Sequence, residues 1–227
     1  MPRTITKTIY TFGELIEASK RKEVKPVAVE RAREWMIEGL QCFDWWDQTY
    51  EDWKQALEQI GFDNADISFS GFSSQGDGAS FTCKSVDVGK LKAFMSTDIQ
   101  ASQVIDSEPE DFRPWLVWKA KGKSPANRQY RRIPADYVQA EIKRISHHYS
   151  HENTCTFEIT GSGRHETPRV DKILNAFEKD VEHLRRDLCR AIYRDLEEDY
   201  EYMVSDEQLI ESAEANDYTF DALGHRE

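Results

Sequence analysis

Three consecutive stretches in the first part of the chain carry apolar residues at helical spacing. A period of about 3.6 residues places such positions on one face of a helix, which can then pack against a core. The second stretch begins with Pro26, which suits the first turn of a helix, and the third ends at Gly61, a typical residue beyond a helix C-terminus. The pattern therefore predicts helices over 13–21, over 26–41 and from residue 47 to Gly61.

Other stretches alternate between apolar and polar or small residues, which is the pattern of β-strands. Residues 4–12 predict an N-terminal strand. The segments "ISFSGF" and "ASFTCK" flank a glycine-rich turn. They predict an antiparallel hairpin over 64–86 whose loop lies at 71–78.

A second hairpin is predicted from the runs 137–149 and 153–161, with "HEN" as the turn between them. The first run is ambiguous, because Ile142 and Ile145 also fit a helix. The sequence Ser-His-His-Tyr that follows is unfavourable for a helix, so we favour a strand for the later part of the run. Between the hairpins, residues 88–95 predict a short helix.

The apolar pattern of the C-terminal region predicts one long helix over 169–203. At 1.5 Å per residue it would be about 50 Å long, enough to lie along a sheet or to project and form a homodimer. Ser205 is the predicted N-cap of a last, short helix. The apolar stripe of the long helix consists of Val170, Ile173, Phe177, Val181, Leu184, Leu188, Ile192, Leu196, Tyr200 and Met203.

These elements predict an α+β fold. A small, mostly antiparallel sheet of two hairpins plus the N-terminal strand would be covered by helices, with one long C-terminal helix. We expect a single domain over 1–227, with an irregular insertion at 96–134.

The chain is acidic, with a net charge of −12, which opposes binding to free duplex DNA. Its four cysteines show no CxxC spacing, so the sequence predicts no zinc site, and scattered cysteines are typical of a reducing, cytoplasmic location. No apolar run is long enough to span a membrane. The sequence carries no phosphate-binding loop, dinucleotide fingerprint or HExxH motif, so no cofactor is expected.

Charge is unevenly distributed along the chain. Residues 119–132 hold six basic residues and no acid, whereas residues 195–221 hold eleven acids and no Lys or Arg. Such runs are most often solvated surfaces. The functional interpretation is an acidic helical surface that docks on a basic partner. The candidate partner-binding residues are Glu197, Glu198, Glu207, Glu211 and Glu214.

Three blocks of the sequence carry a resemblance to known proteins. They are "FDWWDQTYEDWKQALEQIGFDNADISFSGFSSQGDGASF", "SHHYSHENTCTFEI" and "EEDYEYMVSDEQLIESAEANDYTFDALG". Together they resemble a largely uncharacterised family of bacterial and phage proteins, some of which are labelled antitoxin of toxin–antitoxin stability system. The segment 96–134 is longer than in that family, and Pro26 is an addition. The resemblance implies a phage or mobile-element origin and supplies no catalytic residues.

The leading hypothesis combines this resemblance with the acidic run. It describes a non-enzymatic interaction protein, acting in the host cytoplasm, that binds and neutralises or redirects a host or toxin protein.

The alternative is a small metal- or nucleotide-dependent enzyme, or a ligand-binding protein, that uses the 71–78 loop. Asp77 could ligate a metal, and backbone amides of the loop could hold a phosphate. A phosphate loop normally precedes a helix, however, and this loop precedes a strand. His148 would reach Asp77 only if the two hairpins lie side by side. The candidate ligand-binding residues are Ser73, Ser74, Gln75, Gly76, Asp77, Gly78, His148 and Tyr149.

Overall fold

A computed structural model of the chain describes residues 7–40, 43–96, 130, 133, 138–161 and 168–227. Internal contacts divide the chain into a terminal unit, Met1–Trp46 with Glu197–Glu227, and a central unit, Asp47–Leu196. The helices and antiparallel strand pairs confirm the α+β class. The single domain over 1–227 stays a prediction. The insertion predicted at 96–134 lies outside the described residues except for Ser96, Tyr130 and Ile133.

The described elements follow one another in this order: β1 (Ile9–Tyr10), α1 (Phe12–Lys20), α2 (Pro26–Leu40), α3 (Asp47–Ile60), β2 (Phe62–Asp63), β3 (Asp66–Ser70), β4 (Gly78–Thr82), β5 (Ser85–Val86), α4 (Val88–Ser96), β6 (Val138–Arg144), β7 (Cys155–Gly161), α5 (Pro168–Met203), α6 (Asp206–Ala215) and β8 (Phe220–Asp221).

Residues 4–6 of the predicted N-terminal strand lie outside the described residues. In the described part the strand is limited to Ile9–Tyr10, because the first helix begins inside the stretch 4–12. The Glu14 amide donates a hydrogen bond to the Thr11 hydroxyl (3.2 Å), and the Thr11 amide donates to the Glu14 carboxylate (2.9 Å). This reciprocal capping box makes Phe12 the first residue of α1. The strand β1 pairs antiparallel with β8, not with either hairpin, and Tyr10 lies opposite Phe220.

The core of the terminal unit lies between α1, α2, α6 and β8. Their apolar faces meet there: Phe12, Leu15, Ala18, Val24, Ala28, Val29, Ala32, Met36, Leu209, Ala213 and Phe220 are buried. The rings of Phe12 and Phe220 meet edge to face with centroids 6.1 Å apart. As predicted, Pro26 is the first residue of α2, and Ser205 caps α6 by accepting a hydrogen bond from the Gln208 amide.

In the central unit the first hairpin forms as predicted. The strands β3 and β4 pair antiparallel, from Asp66 opposite Thr82 to Ser70 opposite Gly78. Gly78 is therefore part of a strand, and the loop covers residues 71–77. The helix α3 also forms as predicted, and Gly61 follows it with a φ of 106°, a conformation that glycine adopts readily.

The second hairpin forms too, but its first strand occupies the early part of the run 137–149. The prediction of a strand in the later part is wrong. The amides of Ile145 and Ser146 both donate to the Thr154 carbonyl (2.8 and 3.2 Å), which closes the turn and ends the ladder at Arg144. Polar residues from Ser146 onward then form this wide turn.

The two hairpins lie side by side. Cys83, which follows β4, exchanges two backbone hydrogen bonds with Ile142 in β6 (3.2 and 2.7 Å). A small antiparallel arrangement of both hairpins results, and it places their two loops next to each other.

The long helix α5 forms as predicted, over Pro168–Met203. Seven residues of its apolar stripe are buried in the chain itself: Ile173, Phe177, Val181, Leu184, Leu188, Ile192 and Leu196. A homodimer through α5, which stays a prediction, would therefore use another face of the helix. Among the described residues, none of the helices combines the length and the apolar character needed to cross a membrane.

Candidate functional site

The alternation in "SFSGFSS" separates an aromatic face from a serine face of the first hairpin. Phe69 contacts Tyr50 of α3, with ring centroids 6.4 Å apart, and stacks on Phe72 at 5.4 Å. Phe72 in turn lies 5.4 Å from the ring of Tyr193 in α5. The phenylalanines therefore anchor the hairpin to two helices of the central unit, and the serines face the second hairpin.

The loop 71–77 is closed by its own aspartate. The Asp77 carboxylate accepts hydrogen bonds from the backbone amides of Ser73 (2.7 Å) and Ser74 (2.5 Å). The Tyr193 hydroxyl donates to the Gly71 carbonyl (3.2 Å), which fixes the start of the loop on α5. The amides that could have held a phosphate and the carboxylate that could have held a metal therefore bind each other and close the loop.

The turn of the second hairpin packs directly on this loop. A Cβ atom on Gly76 would lie 3.1 Å from the Tyr149 ring, and one on Gly78 would lie 2.8 Å from the His151 ring. Both glycines therefore permit the close approach of the two hairpins. Tyr149 meets the loop as the side-by-side arrangement predicts. His148 instead contacts Tyr149, with centroids 4.7 Å apart, and forms no hydrogen bond with Asp77.

Replacing Asp77 with alanine is expected to lower the free energy of unfolding by about 1–2 kcal/mol, because two loop amides lose their acceptor. Chemical denaturation of the full chain measures this. Gln75→Ala is the matched control, since Gln75 is exposed in the same loop and forms no hydrogen bond with a described residue. An unchanged stability of Asp77→Ala would contradict the structural role of the carboxylate.

The serine face of the first hairpin meets Arg144 and Ser150 of the second. The Ser70 hydroxyl donates to the Ser150 carbonyl and accepts from the Ser150 amide, both at 3.1 Å. Arg144 Nη2 donates to the hydroxyls of Ser68 and Ser80, and the Ser150 hydroxyl donates to that of Ser68 at 3.1 Å. We name Arg144, Ser68, Ser80 and Ser150 the arginine–serine cluster.

Sequence reasoning missed this cluster. Serines at alternate strand positions indicate a solvent-facing surface, and only the docking of the hairpins brings Arg144 to them. In the folded chain Ser80 is fully buried, Ser150 is almost so, and Arg144 is half-buried.

A second buried cation, Arg185, links α5 to the second hairpin. Its guanidinium donates to both Glu182 oxygens (2.9 and 2.6 Å) and to the Glu152 carbonyl (2.6 Å). Glu182 also accepts from the Phe157 amide of β7 (3.1 Å). Burial raises the pKa of the Glu182 carboxyl, but the hydrogen bonds and charge of Arg185 lower it by more, so this pKa lies below its ordinary value. This network stabilises the fold.

The described residues offer little for metal or thiol chemistry. They contain no group of three or more His, Cys, Asp or Glu side chains placed to hold a metal ion. Burial raises the pKa of the Cys83 thiol to about 11 and that of Cys189 to about 12. Both therefore stay protonated at neutral pH and are poor nucleophiles.

The candidate partner-binding glutamates divide between two helices. Glu207, Glu211 and Glu214 are exposed on α6 at positions i, i+4 and i+7, opposite the buried Leu209 and Ala213. We name these three residues the acidic face. Glu197 and Glu198 lie on α5, where Glu197 is half-buried and Glu198 is exposed.

The acidic face carries charge that no described residue neutralises. Glu207, Glu211 and Glu214 form no ion pair with any of these residues, whereas the neighbouring Asp206 pairs with Arg33 of α2 (2.5 Å). The face therefore projects three negative charges into solvent.

One end of the acidic face borders a shallow groove between α1 and α6. The groove has a volume of about 470 Å³ and includes Glu14, Glu17, Arg21 and Glu214 in its lining. A hydrogen bond and the charge of Lys20 lower the pKa of the Glu17 carboxyl, which is therefore ionised at neutral pH. Carboxylates outnumber cations in this lining.

No curated protein and no solved structure matches the chain. One family is matched by its sequence model, over residues 45–206, and it is described as a domain of unknown function, DUF8835. The match includes the whole central unit with both hairpins and α5, and it ends just before the acidic face. Because it covers well over half of the sequence, the chain belongs to the DUF8835 family.

Proposed function

We propose that this chain is a non-enzymatic interaction protein whose acidic face docks on a basic surface of a partner protein. The observation that carries the proposal is the row of unpaired, exposed glutamates on α6. Like charges four residues apart destabilise a helix by about 0.2–0.5 kcal/mol per pair. The repulsion within the row therefore opposes the folding of α6.

The position of Glu214 within the helix points the same way. Glu214 lies in the last turn of α6, which has no basic residue, and the helix dipole disfavours a negative charge there by about 0.3–1 kcal/mol. Glu207 lies in the first turn, where the dipole favours a negative charge. An acid that opposes both its neighbours and the dipole, as Glu214 does, is well explained by an interaction with a cation from outside the helix.

A comparison within the terminal unit supports the choice of α6. The helix α2 also carries three exposed glutamates in a row, Glu30, Glu34 and Glu38. Arg31 and Arg33 lie among them, and Glu30 pairs with Arg33 at 3.7 Å. The acids of α2 are thus partly neutralised by their own helix.

The partner that fits this surface is a protein with exposed Lys and Arg, such as a host or toxin protein that itself binds nucleic acid. The resemblance to phage and antitoxin-labelled proteins motivates this part of the proposal, in which the chain acts in the host cytoplasm. The family match ends at residue 206, just before the acidic face, so the proposal for α6 does not rest on membership of the family.

The alternative of a metal- or nucleotide-dependent enzyme has less support. Its central residue, Asp77, closes its own loop, and its histidine, His148, meets the Tyr149 ring edge to face. We therefore prefer the interaction protein.

The triple change Glu207→Gln, Glu211→Gln and Glu214→Gln is expected to abolish capture of the partner. The melting temperature should stay nearly the same, because the repulsion between like charges that is removed offsets the favourable interaction of Glu207 with the helix dipole that is lost. Zero-length coupling of carboxylates to lysines, followed by mass spectrometry, identifies the partner and the coupled glutamates.

The matched control is the triple change of Glu30, Glu34 and Glu38 to glutamine, which alters the net charge equally in the same unit. The control should capture the partner as the unaltered chain does. Equal loss of capture in both variants would show that net charge alone is responsible and would contradict the assignment to α6.

Free duplex DNA is expected to bind poorly at about 150 mM salt, where exposed charges are screened beyond about 8 Å and the net charge of −12 opposes close approach to phosphates. A gel-shift titration measures this. Submicromolar affinity would contradict the expectation.

A further inference from the structure

Arg144 is a half-buried cation without a carboxylate partner in the described part of the chain. All of its hydrogen bonds go to serine hydroxyls, those of Ser68, Ser80 (3.4 Å) and Ser150 (3.5 Å). This differs from Arg185, which is neutralised by Glu182. A cation removed from water without a counter-charge is unfavourable, so the environment of Arg144 favours an anion from solution.

The guanidinium also has donors to spare. It carries five N–H groups, and the three hydrogen bonds to serines use two of them on Nη2 and one on Nη1. The Nε–H and the second Nη1–H have no acceptor among the described residues. These two donors are free for a ligand oxygen.

The serines add a hydroxyl donor to the same place. Ser68 Oγ accepts from Arg144 and from Ser150, and Ser80 Oγ accepts from Arg144. The Ser68 and Ser80 hydroxyls also form a hydrogen bond with each other at 3.5 Å, in which either can be the donor. One of these two protons is therefore used inside the cluster, and the other can point to a further acceptor. An anion with several oxygen atoms would therefore satisfy the donors that remain free in the arginine–serine cluster.

We propose that the arginine–serine cluster binds a phosphate-type oxyanion, either as free phosphate or as the phosphate of a small phosphomonoester. A planar guanidinium matches two oxygens of such a group, and a third oxygen can accept from a serine hydroxyl. The site lies where the two hairpins meet, so the anion would also join them. It belongs to the central unit, and partner binding by the acidic face does not depend on it.

Titration of the full chain with sodium phosphate, at constant ionic strength against chloride, tests the proposal. When phosphate is at ten times its dissociation constant, the melting temperature should rise by about 3 °C or more. Arg144→Gln should remove this rise. Arg169→Gln, which changes an exposed arginine at the start of α5, should retain it.

Additional measurements identify the ligand and keep the test valid if a variant fails to fold. Arg144→Lys keeps the charge but loses the planar guanidinium, whose N–H groups can donate to two oxygens at once. The variant should therefore bind phosphate about tenfold more weakly. Titrations with phosphoserine and adenosine monophosphate, compared with free phosphate, distinguish a phosphomonoester from free phosphate as the ligand. Tighter binding of a phosphomonoester and tighter binding of free phosphate would each support the site. Phosphorus NMR line broadening of phosphate with the unaltered chain measures binding even if Arg144→Gln fails to fold. Absence of broadening and of a thermal shift at millimolar phosphate would overturn the proposal, as would an equal response to acetate.

Discussion

Replacing Glu182 with alanine is expected to lower the free energy of unfolding by about 3–5 kcal/mol, since it leaves Arg185 buried with an unpaired charge. Arg185 is 0% exposed, and both oxygens of the Glu182 carboxylate accept hydrogen bonds from its guanidinium. Its other oxygen acceptor, the Glu152 carbonyl, carries no charge. The Phe157 amide also loses its acceptor. Hydrogen exchange at Phe157 and chemical denaturation of the full chain measure the effect.

Two further variants separate the charge effect from a general effect of truncation. Glu178 lies one turn before Glu182 on α5, is half-buried and has no partner among the described residues. Glu178→Ala should therefore change the free energy of unfolding by less than about 0.5 kcal/mol. The double change Glu182→Leu with Arg185→Met should be more stable than Glu182→Ala, because no unpaired charge remains. A double variant as unstable as the single one would contradict this explanation.

The same pair predicts how stability depends on pH. The pKa of Glu182 is lower in the folded chain than its ordinary value of 4.5, so its ionisation stabilises the fold above that pH. This contribution is lost as the pH falls from about 4.5 through the lower, folded-state pKa. The slope of stability against pH in that range should therefore be smaller for Glu182→Gln than for the unaltered chain.

Replacing Gly224 with alanine is expected to destabilise the terminal unit by about 3 kcal/mol or more, because strain and a steric clash add together. Gly224 has a φ of 83°, which residues with a side chain rarely adopt, and an added Cβ would lie 2.0 Å from the Ala28 carbonyl oxygen. That oxygen belongs to the backbone of α2 and cannot move aside like a flexible side chain.

Gly39→Ala is the matched control in the same unit. Gly39 lies in α2 with nothing within 4 Å of an added Cβ, so the change should leave stability unaltered or raise it by up to about 1 kcal/mol. Equal melting temperatures of the two variants would contradict the role assigned to Gly224.

Local signals in the sequence predicted much of the fold. Pro26, Gly61 and Ser205 mark helix ends through interactions within a few residues, and the helices begin and end near them. The hairpin over 64–86 follows from alternation on both sides of one loop. Within that loop, Asp77 accepts the hydrogen bonds that close it, and Gly76 leaves room for Tyr149.

What the sequence did not predict depends on distant parts of the chain. The partner of β1 is a two-residue strand more than 200 residues away, and no local pattern specifies such a pairing. Arg144 meets Ser68 and Ser80 only because the hairpins dock through Cys83 and Ile142. The candidate glutamates, in contrast, could be chosen from sequence because helical spacing alone places Glu207, Glu211 and Glu214 on one face.

The rate at which the captured partner associates with the chain, measured against ionic strength, tests the central claim most directly. For the unaltered chain and for the control with glutamine at Glu30, Glu34 and Glu38, the rate should be high at low salt and should fall steeply as salt rises. Electrostatic steering raises such rates by about 10-fold or more. With glutamine at Glu207, Glu211 and Glu214, association should be slower at low salt and nearly independent of salt. An α6 variant with the same rates and the same salt dependence as the unaltered chain would contradict partner binding through the acidic face.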